Sequence, residues 1–173
     1  MPRLWLSTIL ITAQFAATRP LLGQGNQSRL PSALAWVTAG IGGGGAGGAG
    51  FAAAASADVL ARHHLFSLRA TGVAVEFGND FWDAGLLYGR VHRTKWGLLA
   101  ASVGLAVVDG ERCGGGLGAS CTQVPASVGL PLSASASWHV SSNLGVGLSA
   151  FGDVNHEQSF GGLVLNIQLG RLR

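Results

Sequence analysis

Two cysteines, Cys113 and Cys121, stand with seven residues between them in a Gly-rich stretch, Cys-Gly-Gly-Gly-Leu-Gly-Ala-Ser-Cys. Two cysteines flanking a flexible loop in an exported chain pair most simply as one disulfide. A metal site would want further Cys or His at ligand spacing, and none is near. Asn155-His156-Glu157-Gln158-Ser159 brings a base, an acid and a hydroxyl together. Nucleophilic catalysis needs that base within hydrogen-bonding reach of the hydroxyl, but the segment also reads as an ordinary polar loop tip. The adjacent His63 and His64 point to opposite faces if they lie on a strand, which disfavours chelation by the pair. Gly40-Ile41-Gly42-Gly43-Gly44-Gly45 satisfies a dinucleotide-binding glycine pattern, with Asp58 downstream. In so glycine-rich a run the match carries little information, and no further βαβ unit follows. Asn26-Gln27-Ser28 matches a glycosylation sequon and is read as incidental. No catalytic, metal or cofactor set is assigned.

The composition decides where such residues must sit. Charged residues make up 11% of the 173-residue chain, against roughly 25% in soluble domains. There are 28 glycines, well above the usual share of about 7%. A soluble fold with so few charges would struggle to stay dispersed, so a membrane destination gains weight. Arg3, the apolar stretch 4–17 and the small residues Gly23-Gln24-Gly25 read as a secretory signal over residues 1–25. The apolar stretch falls short of the roughly 20 residues a spanning helix needs. That leaves a domain of residues 26–173, which carries nine basic and eight acidic residues. Its cations are scattered, with no nucleic-acid footprint.

Period-two alternation then supplies the elements. In Leu132-Ser133-Ala134-Ser135-Ala136-Ser137-Trp138-His139-Val140, one face is Leu, Ala, Trp and Val, the other Ser and His. The runs 144–150 and 163–170 repeat the pattern, with Asn166 and Gln168 on the polar face. Eight strands are expected, over 34–42, 50–57, 65–75, 81–91, 96–108, 130–140, 144–152 and 160–171. Each is near the 9–11 residues of a tilted transmembrane strand. Residues 39–57 also fit a glycine-zipper helix. If the chain starts at the inner face, the outer loops are 43–49, 76–80, 109–129 and 153–159, and the inner turns 58–64, 92–95 and 141–143. The longest connection, with both cysteines, then lies outside.

Parity also places side chains. Arg69 and Asp83 point inward from neighbouring strands, where a charge needs a partner, so they are expected to pair directly or through other polar groups. With Ser133, Ser135, Ser137, His139, Asn166 and Gln168 they make an expected polar lumen. Trp82, Tyr88, Trp96 and Trp138 fall near strand ends, where interfacial aromatic girdles sit.

At this point the chain resembles the small eight-stranded outer-membrane barrel proteins of Gram-negative bacteria. The resemblance rests on His64-Leu65-Phe66-Ser67-Leu68-Arg69, Gly85-Leu86-Leu87-Tyr88-Gly89-Arg90, Gly129-Leu130-Pro131-Leu132 and the final run from Phe160 to Gly170. Gly162, Leu165 and Ile167 fit the core of that family's C-terminal assembly signal, although Leu172-Arg173 stands where an aromatic is usual. The resemblance implies an all-β, single antiparallel up-and-down barrel in the outer membrane. Its implied partners are the lipid bilayer and the outer-membrane assembly machinery. Eight strands enclose an interior just wide enough for side chains, so no open pore is expected. Function would then be structural or lie in the outer loops, without enzymatic activity. Two alternatives stay open. A soluble exported lipocalin-like barrel would turn its larger apolar residues inward around a ligand. A lipid-modifying outer-membrane enzyme would need His156 or His139 near a serine and an acid.

Overall fold

A computed structural model describes residues 33–75, 79–114 and 120–172. The signal segment and the sequon lie outside the described residues, as do Glu76 and part of the Cys113–Cys121 connection. The strands are β1 (Leu34–Gly45), β2 (Ala49–Ala61), β3 (His64–Ala74), β4 (Asp80–Arg93), β5 (Gly97–Cys113), β6 (Cys121–His139), β7 (Leu144–Asn155) and β8 (Phe160–Arg171). Each pairs antiparallel with its sequence neighbours, and β1 pairs with β8 to close the barrel. Closure leaves no free strand edge around the wall.

The alternation sets which way each side chain points. On β3, Phe66, Leu68 and Ala70 are exposed on the outer wall, while Leu65, Ser67, Arg69, Thr71 and Val73 are buried inside. On β5 the outward residues Leu99, Ala101, Val103, Leu105 and Val107 form an unbroken apolar row. Eight rises of about 3.3 Å make that row about 26 Å along the strand, or about 20 Å along the axis at a tilt of about 40°. Leu86, Leu105 and Leu165 on this wall are 69%, 68% and 70% exposed.

Inside, two apolar layers bracket a polar one. At the end bearing the longer loops, Phe81, Phe151, Phe160, Val73, Val108 and Val164 pack together, with Phe81 and Phe160 stacked at 6.2 Å. At the end bearing the short turns, Leu34, Trp36, Leu60, Leu65, Val91 and Leu98 do the same. Gly162 makes room for the first layer: a methyl there would lie 2.9 Å from both the Ala52 Cβ and the Phe151 ring.

Several boundaries differ from the sequence reading. Residues 39–57 are neither a glycine-zipper helix nor a phosphate-binding loop. They are the end of β1, a turn at Ala46-Gly47-Gly48 and the start of β2. The turn expected over 58–64 shrinks to Arg62 and His63, with Arg62 at φ 60° as a tight hairpin demands. Strand β2 runs on through Asp58, because hydroxyls from β1, β2 and β3 satisfy its buried carboxylate. The turn expected over 92–95 falls at Thr94-Lys95-Trp96, where the Thr94 hydroxyl accepts hydrogen bonds from the amides of Trp96 and Gly97. Most of the loop expected over 109–129 is a β-hairpin, since β5 and β6 keep pairing out to Cys113 and Cys121. Residues 121–128 of β6 pair with β5 alone, so this hairpin stands beyond the β6–β7 ladder. Asp153, expected in a loop, lies on β7 facing inward.

Candidate functional site

Two regions hold the chain's chemistry: the polar layer of the lumen, and the loop-end hairpin. In the lumen, Arg69 Nη2 donates to Asp83 Oδ2 at 2.5 Å, and Nη1 donates to the Leu132 carbonyl at 2.8 Å. Asp83 Oδ1 accepts from the amide and the hydroxyl of Thr71, at 3.2 and 2.7 Å. The guanidinium lies 5.8 Å from the centre of the Phe151 ring. Asp83 is fully buried and Arg69 nearly so. Thr71 and the Leu132 carbonyl take up sites that such a desolvated pair would otherwise leave open, while the buried Arg69 Nε has no hydrogen-bond partner among the described residues.

Asp58 forms a second centre that the sequence reading missed. Its carboxylate accepts hydrogen bonds from Ser56 at 2.6 Å, Ser67 at 2.5 Å and Thr38 at 3.3 Å. The parity Ala52, Ala54, Ser56, Asp58, Leu60 was the available signal. Nearby, the Asn166 amide donates to Ser149 at 2.7 Å.

A cavity of about 70 Å³ runs between the two centres, and Ser133, Ser135, Ser137, Asn166 and Gln168 line it. A polar space of that size holds a few waters. The acceptor oxygens of Asn166 and Gln168 lack a protein partner there. His139, next along the serine face, is half-buried at the end of β6, and the cavity lining stops at Ser137.

The expected interfacial aromatics all face outward: Trp82 is 49% exposed, Tyr88 44%, Trp96 67% and Trp138 51%. Trp82 sits toward the loop end, and the other three toward the turn end. Trp36, by contrast, fills the lumen.

At the loop end, Cys113 and Cys121 are joined in a disulfide that clamps the hairpin tip. The Glu111 carboxylate lies within 4.8 Å of both sulfurs, but bridged sulfurs are not the thiolates a metal takes. Arg112 reaches from the hairpin to the Glu157 carbonyl and the Gln158 side chain, each at 3.3 Å. His156 is 97% exposed, with Nδ1 3.8 Å from Glu157. Among the described residues it makes no hydrogen bond to Ser159, so His156 and Ser159 are not brought together as base and hydroxyl.

No protein-family model and no curated protein sequence matches the chain. Solved structures do. Neisserial surface protein A superposes with a TM-score of 0.59 at 14% identity, over 79% of this chain and 95% of that one. The N-terminal β-barrel domain of Pseudomonas aeruginosa OprF gives 0.53 at 10% identity, over 79% and 96%. Ail, the attachment invasion locus protein of Yersinia pestis, in complex with the heparin analogue sucrose octasulfate, gives 0.54 at 10% identity, over 80% and 97%. The fold of this chain is therefore that of the small eight-stranded outer-membrane barrels.

Proposed function

We propose that the protein is a non-enzymatic outer-membrane barrel with a packed lumen, acting structurally or through its loop-end surface. The observation that carries this is the outer wall. All eight strands present apolar side chains outward, including large ones that are half or more exposed. A wall of that extent would drive association in water, and it is the normal surface of a barrel in lipid. It also speaks against the lipocalin-like alternative, which would bury its large apolar side chains around a ligand.

Two apolar layers and a hydrogen-bonded middle fill the lumen, which argues for a plug and against a diffusion channel. Short connections, the start of β1 and the end of β8 share one end of the barrel, which in outer-membrane proteins is periplasmic. The disulfide-clamped hairpin and its contacts to the β7–β8 connection would then face outward. Neighbours named as a surface protein and an attachment protein make a surface role for that hairpin reasonable.

The test is to fold residues 26–173 in detergent and compare gel mobility with and without boiling. A boiling-dependent shift with β-type circular dichroism supports the proposal. A folded protein that stays soluble without detergent would overturn it.

A further inference from the structure

The turn end carries a one-signed set of charges. Arg62 in the β2–β3 turn, Arg90 and Arg93 on β4, Lys95 in the β4–β5 turn and Arg171 on β8 are all exposed there. The acidic residues among those described lie elsewhere. Asp80, Asp109, Glu111 and Glu157 are at the loop end, and Asp58, Asp83 and Asp153 face the lumen. Among the described residues none of these five cations forms an ion pair. Four of the five gather over β2–β5, while the β6–β7 turn across the barrel is the neutral Ser141-Ser142-Asn143.

Their depth is set by the wall. Outward on β4 the chain reads Leu86, Tyr88, Arg90, His92, so Arg90 follows the apolar row by one step on the same face. Tyr88 Oη is 2.6 Å from Nδ1 of His64 on β3, and His64 is the cross-strand partner of Arg90. Lys95 Nζ lies 4.9 Å over the Trp96 ring. Cations one step beyond interfacial aromatics sit at headgroup level, their stems along apolar surface and their charges in the polar layer. Like charges on one sector with no ion pair among the described residues call for counter-charge from outside the protein, and arginine matches phosphodiester oxygens with paired donors.

We infer that the β2–β5 sector of the turn end is a docking collar for anionic phospholipid headgroups of the adjoining leaflet. This rests on the membrane-barrel reading above. Continuity of Arg90 with the lipid-facing row selects a lipid over a soluble anion.

The experiment is native mass spectrometry of the folded barrel released from micelles holding equal phosphatidylglycerol and phosphatidylethanolamine. The native protein should retain phosphatidylglycerol at least about tenfold over phosphatidylethanolamine. A variant with Arg62→Ser, Arg90→Ser, Arg93→Ser and Lys95→Ser should fall to near parity, while Arg112→Ser at the loop end keeps the preference. If the fourfold variant does not fold, the native preference should still drop as salt rises from about 0.05 to about 0.5 M. Equal retention of the two lipids by the native protein, or an undiminished preference in the folded fourfold variant, overturns the inference. So does displacement of bound lipid by millimolar glycerol phosphate, which would mark a soluble phosphodiester site. Loss of the boiling-dependent mobility shift in the native protein would instead overturn the barrel reading itself.

Discussion

Arg69 and Asp83 meet inside the lumen from the adjacent strands β3 and β4, offset by two residues from direct register, with Nη2 2.5 Å from Oδ2. Thr71, the direct cross-strand partner of Asp83, holds the other carboxylate oxygen. The pair is thus locked from both strands, and the Leu132 carbonyl ties it to β6 across the interior.

Breaking the pair from one side leaves a buried charge alone. Asp83→Ala should destabilise the folded barrel by about 3–5 kcal/mol, whereas a double replacement with Arg69→Leu and Asp83→Leu should cost far less. Urea titration of the folded protein in detergent, read by gel mobility, distinguishes the two. A single variant as stable as the native protein would show that the pair is not desolvated.

Asp58 depends on its hydroxyl donors for lack of a bonded cation. Ser67→Ala removes the shortest of the three hydrogen bonds and should cost about 1.5–3 kcal/mol. The same titration reads it. Thr38→Ala, which removes the 3.3 Å contact, should cost less.

Close packing beside the loop-end apolar layer leaves no room at Gly162. Gly162→Val would press on Ala52, Phe151 and the Gly43 carbonyl, and should cost about 1–3 kcal/mol. A smaller partner would relieve it, so adding Phe151→Leu should recover part of the loss. No recovery would mean that the strain lies in the backbone.

The disulfide clamps a hairpin that stands beyond the β6–β7 ladder. Replacing Cys113 and Cys121 by serine should therefore leave the barrel's urea midpoint almost unchanged. Trypsin cleavage after Arg112 should become several-fold faster, because opening is local. A large drop in the midpoint would show that the hairpin helps hold the barrel closed.

The sequence made some of this visible and hid the rest for physical reasons. The eight strands were legible because an apolar outer wall and a polar interior give a clean period of two. The outer half of β6 was not. Thr122, Gln123 and Pro125 are exposed in a hairpin beyond the β6–β7 ladder, where Val124 alone joins the apolar layer. Asp58 was misplaced because an acid after an alanine run looks like a strand end. Two of the three hydroxyls that make it tenable inside, those of Thr38 and Ser67, are 20 and 9 residues away. Trp36 was not separable from the interfacial aromatics, since at the start of β1 both faces, Leu34 and Trp36 against Ala35 and Val37, are apolar.

The central claim is that the outward faces lie in hydrocarbon and the inward faces do not. Tryptophan quenching by lipids brominated on their acyl chains tests it directly, with the mature protein folded into vesicles. A variant keeping Trp138 as the sole tryptophan of residues 26–173 should be strongly quenched, and one keeping only Trp36 should be nearly unaffected. Equal quenching of the two, or stronger quenching of Trp36, would contradict the account.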